Sequence, residues 1–290
     1  MKNPCLSTLM SILCFSGLAV FAEPAAVPPQ PVHAPVKIEI EPGVWGKGGP
    51  ADIGKVVSSA ANAIWQHCDS LAIHTINLRH MKEYPLCAYS HDQKDRTVIF
   101  LTSQDTYWSQ YAYQFSHEFC HLLAGHAEPY TEQWKNEGKG TKWLEESLCE
   151  MASLFALRSM ASSWKTQPPY PNWASYSDAL KKYSDDLLDN PKRSLPPGTA
   201  FVDWLATSLP EMQKNSTSRD KNAVVAKQLL PLFEKDPKGW QCVAFLNRTP
   251  PAQRETESLE QRLNSWHAAC PNDLKPFVAS LAREFGIGIK

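Results

Sequence analysis

A chain of 290 residues with 43% hydrophobic and 20% charged residues, including ten Trp, eleven Phe and nine Tyr, can bury one large core or two small ones. Its 29 Lys and Arg balance 30 Asp and Glu, for a formal net charge of −1. The composition excludes a disordered chain, and the charge balance excludes the basic footprint of a nucleic-acid binder or of a protein recruited to anionic lipid.

In chain order, Lys2 and the mostly apolar run from Leu9 to Ala22, ending Val20-Phe21-Ala22, predict a signal peptide over residues 1–22. Leu13 before Cys14 speaks against a lipoprotein anchor. The mature chain is therefore expected to be exported, secreted or periplasmic. No later run approaches the roughly 18 apolar residues of a membrane span, so no transmembrane segment is expected in the mature chain. Residues 23–36, EPAAVPPQPVHAPV, form an extended Pro-rich linker.

Lys37 to Ile40 reads as a strand, Ile53 to Cys68 as a helix, and His74 to Leu78 and Thr97 to Ser103 as strands. Helical spacing takes over from Trp108 through the His117 segment. After a polar loop from Glu128 to Lys142 it resumes from Trp143 to Met160. Further helices are predicted at Ser175–Leu188, Thr199–Leu209, Lys221–Leu230, Glu257–His267 and Leu274–Phe285, with Pro-rich punctuation between the earlier ones. No internal repeat is present. The expected fold class is α+β: a small N-terminal lobe with a mixed sheet (37–127) and a mainly helical C-terminal lobe (128–290), with the active-site cleft between them.

Export removes Cys5 and Cys14 and leaves Cys68, Cys87, Cys120, Cys149, Cys242 and Cys270. An even set in an oxidising compartment predicts disulfides, and sequential pairing is the favoured pattern, with buried free thiols as the alternative.

The chemistry concentrates in His117-Glu118-Phe119-Cys120-His121. On a helix, residues four apart lie about 40° apart around the axis and one turn apart along it, so both imidazoles reach one metal ion. Glu118 sits roughly 80° to one side, where its carboxylate reaches a metal-activated water without ligating the metal. Two neutral imidazoles keep zinc electrophilic, and the free carboxylate acts as general base. The run from Tyr111 to Ala124 holds no Gly or Pro, and Phe115, Phe119 and Leu122 give it an apolar face beside the histidines.

A catalytic zinc usually takes three protein ligands. Trp143-Leu144-Glu145-Glu146-Ser147, on the next helix, offers the third. An HExxH helix followed by a Trp-Leu-x-Glu-small element resembles the gluzincin zinc peptidases, which include thermolysin-like enzymes and gluzincin aminopeptidases. The resemblance spans about 35 of the 290 residues, with Ser147 where Gly is usual and Glu145 where Asn is common. It implies a zincin-like fold, a Zn2+ cofactor, a peptide or protein substrate, and Glu146 as the third ligand, 25 residues past His121. Glu145 and Glu150 stay open as alternatives. Three-histidine ligation fails on register, because the pattern requires Gly at 124 and His at 127 and the chain has Ala124 and His126.

On the second helix Leu144, Leu148, Met151 and Phe155 form a large apolar stripe, while Glu146, Cys149 and Ser153 form a smaller face suited to close packing on the zinc helix. A Cys120–Cys149 bridge would staple the two. Tyr176, Tyr183 and His267 are candidate oxyanion donors, with no motif selecting one. The strand Thr97 to Ser103 is a candidate for pairing with an extended substrate. The sequons at Asn215 and Asn247 read as coincidence. Two functions remain in view: an exported zinc metallopeptidase with Glu118 as general base, and a catalytically silent, zinc-stabilised binding or envelope-associated protein on the same fold.

Overall fold

Short β-branched and apolar segments build one mixed four-stranded sheet from β1 (Ile38–Ile40), β2 (Ile76–His80), β3 (Leu86–His91) and β4 (Thr97–Leu101), in the order β1-β2-β4-β3. The computed structural model describes Met1 and residues 34–69, 71–125, 140–249 and 256–289. The expected signal peptide, nearly all of the linker, His126 and most of the Glu128 to Lys142 loop lie outside the described residues. β1, β2 and β4 run parallel, with Ile38 opposite Ile76 and Leu78 opposite Ile99, while β3 pairs antiparallel with β4 through Leu86–Phe100 and Cys87–Ile99.

Helix α1 (Pro50–Trp65) crosses between β1 and β2. It starts three residues before the predicted Ile53, because Pro50 needs no backbone N–H in the first turn. Helices α2 (Trp108–Gly125) and α3 (Lys142–Ser163) follow the sheet. After them come α4 (Tyr176–Leu188), α5 (Phe201–Lys214), α6 (Arg219–Lys235), the short α7 (Gly239–Val243), α8 (Leu259–Ala269) and α9 (Lys275–Glu284). Among the described residues no helix is long and apolar enough to cross a membrane.

The α+β class and the mixed sheet agree with expectation, and three differences are instructive. β3 has no counterpart in the sequence reading, since its residues Leu-Cys-Ala-Tyr-Ser-His lack both β-branching and alternation. Helices α5 and α6 run through Pro210 and Pro231 instead of stopping before them. A proline there removes one hydrogen bond and bends the helix without ending it when packing holds both sides. Helix α7 was also unpredicted.

One continuous core joins the sheet side to the helices, running from Ile53, Ile76 and Leu101 through Phe115 and Leu148 to Phe233 and Trp266, each 1% exposed or less. Helix α3 is central to it: Trp143, Leu144, Leu148, Met151 and Leu157 are fully buried, so its polar side chains are held among rigid neighbours.

Candidate metal centre

Gln114 fixes the start of α2 against the end of β4. Its Oε1 accepts from the backbone N–H groups of Thr102 (3.0 Å) and Ser103 (3.1 Å) and from Ser103 Oγ (2.9 Å), and its Nε2 donates to Thr102 Oγ1 (2.8 Å). From the next residue on, Phe115, Phe119 and Leu122 bury against the core. His117 and His121 are thereby presented together, with ring centroids 5.1 Å apart. Helix α3 closes on α2 through the predicted small face, where Ser153 Oγ donates to the Tyr113 carbonyl at 2.8 Å.

Glu146 Oε2 lies 3.6 Å from His117 Nε2 and 3.7 Å from His121 Nε2. Tetrahedral zinc with bonds of about 2.0–2.1 Å places neighbouring ligand atoms about 3.3 Å apart. Both Glu146–imidazole separations therefore fit a shared zinc after a contraction of a few tenths of an ångström. A further donor, not considered as a ligand from the sequence, stands nearby: Cys149 Sγ lies within 4.8 Å of a nitrogen on each histidine. It is fully buried and hydrogen-bonded with Cys120, and burial pushes its thiol pKa well up, which disfavours the thiolate a metal needs. Glu146, unlike Cys149, lines the open cleft.

The adjacent carboxylate turns the other way. Glu145 Oε1 lies 2.7 Å from His121 Nδ1, and Glu145 Oε2 accepts from Asn247 Nδ2 at 2.9 Å. Asn247 Oδ1 accepts in turn from Arg262, which faces Glu257 at 3.7 Å. Asn247 is 1% exposed, so its sequon is a buried polar link and not a surface acceptor. The sequence offered little sign of this relay, because its members come from α3, the segment after α7, and α8. Glu150, the other alternative ligand, is committed elsewhere: it accepts from Tyr113 Oη at 2.5 Å and pairs with Arg193.

Charge follows this geometry. Burial alone would lower His121, but Glu146 and Glu145 overcome it and hold its pKa well above the ordinary imidazole value. Burial likewise would raise Glu146, but His121 and His117 hold it well below the ordinary carboxylate value. Glu118 is the exception. Burial raises its pKa despite both imidazoles and an N–H donated by the Cys87 backbone.

A cleft of about 640 Å³ opens over these groups, bordered by Leu86 and Cys87 of β3 on one side and by Tyr183, Arg193 and Asn222 on the other. Of the candidate oxyanion donors, Tyr183 lines it. Tyr176 and His267 do not, and Tyr176 Oη instead accepts from the Ser109 backbone at 3.3 Å. The strand expected to receive substrate is also reassigned. β4 is paired on both edges, by β2 and β3, whereas β3 is the sheet edge and reaches the cleft.

Among the described residues no disulfide is formed, against expectation: Cys68, Cys87, Cys120, Cys149, Cys242 and Cys270 are buried free thiols. Cys120 with Cys149 and Cys242 with Cys270 are in hydrogen-bond contact as expected partners. Cys68 and Cys87 are not so matched, for Cys87 sits on β3 beside Glu118 while Cys68 feels the charge of Cys120. Compared with family models, curated proteins and solved structures, the chain finds no match.

Proposed function

We propose that this chain is an exported zinc-dependent hydrolase with a zincin-like site, acting on peptide bonds. The observation that carries the reading is the approach of Glu146 Oε2 from α3 to within 3.7 Å of both His117 Nε2 and His121 Nε2 on α2, with Glu118 buried beside them at the cleft. His117, His121 and Glu146 would hold the ion, and Glu145 orients His121 through Nδ1. Zinc held there would supply Lewis acidity and lower the pKa of a water to about 7.

Glu118, buried at the cleft beside the two imidazoles, would serve as the general base. Its raised pKa, caused by burial, suits a group that must both accept a proton and return it to the leaving amine. The backbone N–H of Cys87 holds the Glu118 carboxylate in place. Tyr183 and Arg193 face the cleft from the helical side, and either donates to a developing oxyanion once substrate fills the space. An extended peptide adds to the outer edge of β3, which would direct the scissile bond along α2.

Metal analysis of purified protein combined with digestion of a broad peptide library tests this. Glu118→Gln is expected to retain zinc and lose hydrolysis, and His121→Ala to lose both. Full activity in the Glu118 variant defeats the mechanism. Stoichiometric zinc in a wild-type protein that cleaves nothing favours the silent zinc-stabilised binding protein instead.

A further inference from the structure

A second cluster of ligand-type side chains lies at the other end of the cleft-edge strand. β3 begins with Leu86 and Cys87 at the cleft and ends with His91, about 13 Å further along at roughly 3.3 Å per residue. His91 Nδ1 is 2.9 Å from Asp95 Oδ1, and His74 Nδ1 is 3.3 Å from Asp95 Oδ2. The two imidazoles are 4.6 Å apart between centroids, and one ligand atom from each of the three residues lies within 4.8 Å of the others.

The backbone holds this arrangement before any ion arrives. Asp95 has φ +56°, a left-handed conformation that Asp tolerates better than most residues. The turn is tied by Asp92, whose carbonyl accepts from Asp95 N at 2.9 Å and whose Oδ1 accepts from the backbones of Lys94 (2.9 Å) and Arg96 (3.1 Å). The Arg96 guanidinium is engaged by Asp92 and by Glu39 at 2.8 Å, which leaves the Asp95 carboxylate to the two imidazoles. His74 comes from the loop before β2, a separate segment of the chain.

We propose that His74, His91 and Asp95 form a second divalent-metal site, independent of the cleft. Two imidazole nitrogens and one carboxylate are the donors of a borderline ion such as zinc, and not of calcium or magnesium, which prefer oxygen. Asp95 presents one carboxylate oxygen to each imidazole, at 2.9 and 3.3 Å, and one ligand atom from each residue lies within 4.8 Å of the others, so small side-chain rotations bring them to the roughly 3.3 Å between neighbouring ligands of tetrahedral zinc. The ion would sit between the ring nitrogens and the carboxylate that already face one another, so binding requires no new fold. Side-chain exposures of 53% for His74 and 72% for Asp95 leave coordination positions open to water and make this site weaker than the buried one. Its effect is to fasten the loop before β2 to the β3–β4 hairpin that supports the edge of the cleft.

Equilibrium dialysis of the chelator-stripped full chain against Zn2+ alone tests the proposal. Wild type is expected to bind two equivalents. His74→Asn and His91→Ala should each lose the weaker one, with at least a tenfold loss of affinity, and keep the tighter. His121→Ala should keep the weaker one. A cleft that binds no zinc leaves one equivalent in the wild type, which His74→Asn still abolishes; that outcome supports this site while removing the other. Binding curves unchanged by His74→Asn, an exposed substitution that leaves the core intact, overturn it, as does wild-type affinity at these residues weaker than about 1 mM.

Discussion

Replacing Glu145 is the sharpest test of how α3 divides labour between its adjacent carboxylates. Glu145→Gln keeps the size of the side chain and removes the charge facing His121 Nδ1 at 2.7 Å. Loss of such a partner typically costs 10–100-fold in metal affinity, or about 1.4–2.7 kcal/mol. Glu145→Ala goes further and removes the acceptor of Asn247 Nδ2, which is 1% exposed, as well as the partner of His121. Each buried donor left without a new acceptor costs about 1–3 kcal/mol, so the metal-free alanine variant should also unfold at lower temperature. Glu146→Gln, by contrast, removes a ligand and should weaken zinc by roughly tenfold more than Glu145→Gln. The assay is zinc competition against a chromophoric chelator, with thermal unfolding of each metal-free protein alongside. If Glu145→Gln abolishes binding and Glu146→Gln leaves it intact, the roles are exchanged and the reading of the two helices is wrong.

Glu118→Gln should stabilise the metal-free protein at neutral pH. A carboxyl raised by burial above 4.5 favours the fold at low pH, and that contribution is lost as pH rises through its folded value, so the gain in melting temperature should grow with pH and vanish below about 4.5. Zinc affinity should rise with pH above 6.5, because Glu146 and Glu145 hold a proton on His121 that the ion must displace. In the metal-free protein that pairing stabilises fully below 6.5 and is lost as pH rises through the raised folded value; calorimetry in buffers of different ionisation enthalpy counts the proton released. Cys149→Ser should bind zinc within about threefold of wild type if Glu146 is the ligand; a loss on the scale of His121→Ala would move the ligand to sulfur. Gly239→Ala should destabilise by about 1–3 kcal/mol in chemical denaturation, since a Cβ there would clash with the Phe277 ring.

The legible part of the site was the part written in helical periodicity. His117, Glu118 and His121 share α2, and Glu146 lies one helix later, so angular spacing and local resemblance suffice to select them, and the structure brings all four to one cleft. The small face of α3 was readable for the same reason. What stayed hidden depends on long-range pairing. β3 has no β-branched pattern and exists because β4 offers it a partner, so neither the strand nor the Cys87 N–H on Glu118 could be foreseen. Asn247 and Arg262 reach the site from more than 100 residues away along the chain from Glu145, and as single polar residues among many they carry no local signal. The cluster of His74, His91 and Asp95 is of the same kind, assembled by strand order and a left-handed turn.

Two carboxylates side by side would ordinarily repel, and their opposite uses explain why both are tolerated here. Successive helical residues diverge by about 100°, so Glu145 and Glu146 leave α3 on different sides. Glu146 meets the Nε2 atoms of both histidines and Glu145 meets the Nδ1 of one of them. His121 is therefore gripped at both ring nitrogens, and its elevated pKa is the measure of that grip in the absence of an ion. The other Glu145 oxygen is held by Asn247, whose own carbonyl accepts from Arg262, and Arg262 faces Glu257. A dication placed among these groups resolves the imbalance more fully than a proton does, because it neutralises Glu146 directly and leaves Glu145 to hold a neutral ring in one tautomer. The same reasoning separates Glu118 from its neighbours: raised by burial and held by a single backbone donor, it is the one carboxyl of the group left able to exchange a proton.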